Sequence, residues 1–157
     1  MRFHYFLVKT LLFFLPGLIF VGSSFWRWNS LISITDSIVC LDRQCWVVEL
    51  ALNPRQWQEG LMGREKLNSD QGMLFIFPRA AKYSFWMKNV TFPLDIVWIS
   101  EDKKVVDWVL GAKPCLENFC PSFKPRFRVR YVLEVPSGYL REDFLINNPK
   151  VFFLISP

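Results

Sequence analysis

The sequence predicts a mainly β fold: a compact single domain, either a β-sandwich or a partly closed barrel, of about seven or eight strands with one short helix. An N-terminal apolar anchor or signal segment precedes it. Three observations carry that expectation. Residues 37–157 break into short apolar or alternating runs separated by turn-forming residues. One stretch alone, "NPRQWQEG", has helix start and stop signals. The N-terminus is a short basic lead, "MRFHYFLVK", followed by 17 uncharged residues, "TLLFFLPGLIFVGSSFW".

Taken in order, residues 1–28 read as a signal peptide or an N-terminal membrane anchor. A helix of that length, at about 1.5 Å per residue, barely crosses a hydrocarbon core of roughly 30 Å. Pro16 and Gly17 would kink it, Ser23 or Ser24 offers a cleavage point, and Trp26, Arg27 and Trp28 suit an interface. Arg2 and Lys9 keep the N-terminus cytoplasmic, so either reading places the remaining chain on the extracytoplasmic side, tethered through residues 5–28 or secreted. Residues 29–36 form a linker and 37–157 the exported domain.

Within the domain, "IVCLDRQCWVV" reads as a hairpin with Leu41 to Gln44 as its loop. Asn53 is an N-cap, Pro54 a first helical residue and Gly60 a stop, bounding a helix of about two turns. "GMLFIF" is a buried strand, "FPLDIVWI" another, and "SEDKK" a charged hairpin loop leading into "VVDWVLG". "AKPCLENFCPSFKP" is a loop, "RFRVRYVLEV" a strand, "PSGYLRED" a turn and "NNPKVFFLIS" the last strand. In "RFRVRYVLEV", Arg126, Arg128 and Arg130 share a face with Val132 and Glu134, while Phe127, Val129, Tyr131, Leu133 and Val135 take the core face. The arginines read as a solvated outer face, with an anion-binding stripe as the alternative.

Cysteine and histidine bound the chemistry. Cys40, Cys45, Cys115 and Cys120 allow three pairings. Local pairing is attractive for the hairpin, and each six-residue loop so closed contributes roughly 2 kcal/mol. Four-residue gaps fit neither a redox pair nor a zinc site, so structural disulfides in an oxidising compartment are expected. The one histidine, His4, lies in the N-terminal segment, which leaves the domain no Ser-His-Asp triad, Cys-His dyad or histidine-bound metal. No metal and no cofactor are expected. Arg2, Lys9 and Arg27 fall in the first 28 residues, leaving 16 basic against 14 acidic side chains and a net charge of +2. Nucleic acid is therefore not an expected partner.

Four blocks, "EGLMGREKL", "GMLFIFPRA", "FWMKNVTFPLDIVWI" and "YVLEVPSGYL", occur in that order between residues 59 and 140, and the resemblance they carry covers about residues 45 to 155. They resemble the domain of unknown function 192 family. That resemblance implies a single mainly-β domain, commonly exported or membrane-tethered, and lends no activity. Family members often carry Thr after "MKN" where this chain has Val90.

The polar residues inside these blocks make the candidate site: Arg64, Trp86, Lys88, Asn89, Asp95 and Glu134. In "FPLDIVWI", Asp95 points with Val97 and Ile99, opposite Leu94, Ile96 and Trp98. A carboxylate so placed needs a partner. Lys88, Arg64 or turn N–H groups can supply it, in which case Asp95 pins the "MKNVTFP" turn. The expected function is a membrane-tethered binding or envelope-assembly module, contacting a small polar or anionic ligand or an envelope protein. The alternative pairs Asp95 with a Glu as the acid and base of a hydrolase acting on envelope glycans, which needs two carboxyl groups roughly 5–9.5 Å apart.

Overall fold

The computed structural model describes residues 36–155. The N-terminal segment and nearly all of the linker expected from the sequence lie outside the described residues.

The first strands form the expected hairpin. β1 (Ser37–Leu41) and β2 (Gln44–Ala51) are antiparallel, with Cys40 opposite Cys45 and a two-residue turn, Asp42 at φ +51. Helix α1 (Pro54–Glu59) then starts and stops where the sequence says. The Asn53 side chain accepts the Gln56 N–H at 3.0 Å, Pro54 opens the helix, and Gly60 ends it at φ +49. The helix carries the crossover to β3 (Gln71–Ala81), which runs parallel to β2.

β4 (Phe85–Trp86), β5 (Leu94–Ile99), β6 (Val105–Ala112), β7 (Ser122–Phe123), β8 (Val129–Pro136), α2 (Glu142–Ile146) and β9 (Val151–Leu154) follow. Seven strands make one sheet, ordered β6-β5-β8-β3-β2-β1-β9, and β4 pairs with β7 in a second. The count among the described residues is nine strands and two helices, against the seven or eight strands and one helix expected. The extra elements are small: β4 and β7 have two residues each, and α2 begins at Arg141, whose side chain makes no cap bond.

The large sheet curls, which decides for the half-barrel over the sandwich. β8 and β9 are separated by three strands, a span of nearly 20 Å if flat at about 4.8 Å per strand. Yet the rings of Tyr131 on β8 and Phe153 on β9 meet at 4.9 Å. Inside the curl, Trp46, Leu74, Val97, Ile99, Leu133 and Val135 pack with Leu145 of α2. The other face carries a second core of Met73, Phe75, Leu94, Ile96, Trp98 and Val132, against which Trp57 of α1 and Phe85 of β4 pack. The middle strands are buried on both faces, hence the near-continuous apolar runs in their sequences.

The arginine face expected along "RFRVRYVLEV" does not form, because β8 begins only at Val129 and Val132 and Glu134 are buried on the second face. Arg126 instead pairs with Asp107, Arg128 donates to the Ala80 carbonyl, and Arg130 pairs with Glu101. Phe127, expected in the core, is exposed. Each arginine is tied to a different partner, so there is no stripe.

Asp95 is 1% exposed and faces the inside of the curl, with Val97 and Ile99. Its carboxylate accepts the N–H of Gly111 at 2.8 Å, of Gly138 at 3.2 Å and of Leu140 at 3.4 Å. Gly111 sits in a bulge where Leu110 and Gly111 both oppose Asp95, at φ +66, and Gly138 turns the chain after β8 at φ +95. Asp95 therefore pins the β6 bulge and the "PSGYL" turn, and not the "MKNVTFP" turn. That turn is held by backbone bonds instead, from Val90 N–H to the Met87 carbonyl at 3.2 Å within it, and from Asn89 N–H to the Cys115 carbonyl of the β6–β7 connection at 2.9 Å.

Asp95→Asn keeps the shape but turns an NH2 group toward backbone donors. It is expected to lower the unfolding free energy by about 2–3 kcal/mol, since buried donors lose their acceptor. Chemical denaturation of both proteins checks this, and a loss well under 1 kcal/mol would show that the three bonds are dispensable.

Candidate functional site

On the second face of the large sheet a cleft runs down between α1 with its following loop, β4 and Val90. Trp57, Phe75, Phe85 and Trp86 form its aromatic walls, and Glu134 lines it from β8. Its volume is about 20 Å3, room for one water-sized group. Gly60 shapes one side: a Cβ there would stand 3.4 Å from the Phe75 ring, and φ +49 suits glycine.

Glu134 is placed by its strand. β8 lies between β3 and β5, and Glu134 sits opposite Met73 on one neighbour and Ile96 on the other. β3 passes close to it through Gly72, where a Cβ would lie 2.8 Å from the Glu134 carbonyl oxygen. The side chain is 4% exposed and has no hydrogen-bond or ion-pair partner among the described residues. Burial without a compensating donor or cation pushes its carboxyl up to about 8. At neutral pH the cleft therefore holds a protonated acid.

Of the residues expected at the site, Trp86 and Glu134 line this cleft and the other four do not. Trp86 is 41% exposed at the lip. Lys88 lays its ammonium over the Trp86 ring, 5.5 Å from the centroid. Asn89 takes a left-handed conformation, φ +55, and its carbonyl accepts the Gly63 N–H, tying this segment to the loop after α1. Arg64 is held on the surface by Glu49, and its carbonyl accepts the Thr91 hydroxyl at 3.2 Å. Exposed pairs of that kind stabilise little.

Asp95 and Glu134 stand on neighbouring strands with Glu134 beside Ile96 and Asp95 beside Val135, so they point to opposite faces. Asp95 forms no ion pair with Lys88 or Arg64, its oxygens being occupied by three backbone N–H groups. The acid-base pair that a glycan hydrolase would take from these two carboxylates is not assembled.

The sequence reading missed Trp57, Phe75, Phe85 and Val90. Each reads as plain core in its own segment, and only the docking of α1 and β4 turns them into walls. The one available signal was the N-capped helix, whose Trp57 is its single large aromatic. Both disulfides are local, Cys40–Cys45 across the hairpin and Cys115–Cys120 in the β6–β7 connection. Cys115 bonds through its backbone to Met87 and Asn89, so the second bridge braces the segment behind the cleft wall. Among the described residues no group of three or more potential metal ligands occurs, and no helix is long and apolar enough to cross a membrane.

A curled, mainly-β domain with one unpartnered buried acid in an aromatic cleft is the class this structure defines. The profile of the DUF192 family, described as "Uncharacterized ACR", matches residues 38–151, and the chain belongs to that family. No curated protein sequence matches it. Among solved structures it is similar to a protein from Sinorhizobium meliloti 1021 provisionally described as a transcription regulator. That match has 28% identity and a TM-score of 0.64, over 75% of this chain and 92% of the other. It is also similar to a protein of unknown function from Novosphingobium aromaticivorans DSM 12444. Identity there is 26% and the TM-score 0.63, over 76% of this chain and 83% of that one.

Glu134 makes stability depend on pH with a definite sign. The folded chain holds its proton to about pH 8, whereas the unfolded chain releases it near 4.5. Between those values the folded state binds one more proton, so raising the pH destabilises it, by about 1.4 kcal/mol per unit, until the loss is complete near pH 8. Denaturant midpoints taken from pH 5 to 8 should fall in the wild type and stay flatter in Glu134→Gln. Equal slopes would mean that Glu134 is already ionised in the fold.

Proposed function

We propose that this chain is a membrane-tethered, extracytoplasmic binding module whose site is the cleft lined by Glu134 and Trp86. The observation that carries the reading is Glu134 itself, an acid 4% exposed and without a partner among the described residues. Burying a carboxyl unpaired opposes folding, and groups kept in that state cluster where a ligand supplies the missing partner. A purely structural position would be served better by Leu or Met, like its neighbours Met73 and Ile96. Tethering is supported by the basic lead and the 17 uncharged residues after it, and the extracytoplasmic side by two disulfides. The partner at the envelope is a small ligand or a protein segment that ends in one.

Two other readings are weaker. A hydrolase built on Asp95 and Glu134 is not assembled, since Asp95 faces away, and the other carboxyl lining the cleft, Glu59, is paired with Arg55. Transcription regulation, the description of one structural neighbour, finds little support in a net charge of +2 outside the first 28 residues and in described helices of six and five residues.

Full-length protein and Glu134→Gln, screened by thermal shift against envelope sugars, amines and small anions, test the site. The expected result is a compound that raises the melting temperature of the wild type by several degrees and leaves the folded variant unmoved. A compound that shifts both equally, or none that shifts the wild type, would remove Glu134 from the function. The tether predicts recovery of the full chain in the membrane fraction and release when residues 1–28 are replaced by a cleavable signal.

A further inference from the structure

We propose that the cleft binds a protonated primary amine, its ammonium head seated against the Glu134 carboxylate between aromatic rings. The proposal rests on the reading of this cleft as a binding site and names the chemistry of its ligand.

Charge is the first argument. Among the described residues no Lys or Arg lines the cleft, and the one other ionisable lining residue, Glu59, is also acidic and is paired with Arg55. An anion entering here would meet two acids and no cation, so the anionic ligand expected from the sequence does not suit the site. A cation finds the opposite: a carboxyl without a partner, walled by Trp57, Phe75, Phe85 and Trp86. Ring faces attract cations, most strongly where water is excluded. Trp86 already shows this, holding the Lys88 ammonium 5.5 Å from its centroid.

Size narrows the choice. The cleft is narrow, which suits a slim –NH3+ head better than a bulky trimethylammonium head. A metal ion would need several oxygen ligands, and no cluster of three or more such side chains occurs among the described residues. Lys88 does not line the cleft but puts a positive charge beside its lip. It suits amines whose outward part is neutral or anionic.

The proton balance follows. Burial keeps Glu134 protonated up to about pH 8. An ammonium ion entering therefore displaces that proton to solvent and leaves a carboxylate–ammonium pair in its place. Affinity for the amine must rise with pH below 8, close to tenfold per unit. A neutral hydroxyl ligand, accepting a hydrogen bond from the protonated acid, shows no such rise.

The experiment uses the full chain in detergent micelles with glutamate carboxyl carbons labelled, read by NMR and by tryptophan fluorescence. The probes are methylammonium, tetramethylammonium, ethylene glycol and acetate, each at pH 6, 7 and 8. Methylammonium should bind, tighten about tenfold from pH 6 to 7, and lower the titration midpoint of Glu134. Tetramethylammonium should bind at least tenfold more weakly than methylammonium, and Glu134→Gln should weaken methylammonium at least tenfold. If ethylene glycol or acetate binds in a Glu134-dependent way and methylammonium does not, the amine is wrong while the cleft remains a binding site. If no probe moves the Glu134 or tryptophan signals, both readings fall.

Discussion

The carboxylate of Asp95 ties together three parts of the chain that the sheet alone would leave loose. It sits on β5, takes one N–H from the bulge in β6, and two from the turn that follows β8. Both glycines it holds are in left-handed conformations, so the backbone geometry and the acceptor fit each other. Because β5 pairs with β6 on one side and β8 on the other, these bonds fix the ends of both neighbours relative to it. The register of β8 depends on that clamp, and the register of β8 decides which way Glu134 points. A one-residue slip would bring Leu133 or Val135 to the cleft and Glu134 into the inner core.

Two buried acids on adjacent strands thus have opposite fates. Asp95 lies where two turns converge and finds three donors. Glu134 lies in mid-strand, where the backbone N–H groups belong to the sheet ladder, and no side chain reaches it among the described residues. The contrast follows from position along the strands. It explains why one acid builds the fold and the other stays without a partner among the described residues. The wall residues are held just as firmly: Phe85 packs edge-on against Phe75 at 4.8 Å, and the Trp57 indole donates to the Ala51 carbonyl at 2.9 Å. A cleft with rigid walls around one uncommitted group is preorganised, and a ligand entering it loses little to rearrangement.

Much of this was legible in the residues because it depends on near neighbours. The face of Asp95 followed from strand alternation, helix α1 from Asn53, Pro54 and Gly60, and the family from four ordered blocks. The site was legible only in part. Trp86 and Glu134 were named, but with Asp95, Arg64, Lys88 and Asn89, which the fold sends to other work. Proximity in sequence put Lys88 near Asp95, whereas the partners of Asp95 come from Gly111, Gly138 and Leu140, in segments the chain reaches later. The arginine alternation misled because a period of two says nothing about where a strand begins. Val129 starts β8, so Arg126, Phe127 and Arg128 never join it. Helix α2 gave little warning, with an arginine at its N-cap and five residues in all.

The sheet order has a consequence for how the chain acquires its structure. β1 and β9, the first and last strands described, lie side by side, with Cys40 opposite Phe152. Until Val151–Leu154 arrives, β1 has an open edge and the inner core lacks Val151 and the Phe153 ring. Pairings between such distant segments close large loops, which slows folding and lengthens exposure of apolar strands. A nascent chain emerging N-terminus first cannot close β1 against β9 before Val151–Leu154 has been made. A product truncated before Val151 is left with a sticky, unpaired β1 edge.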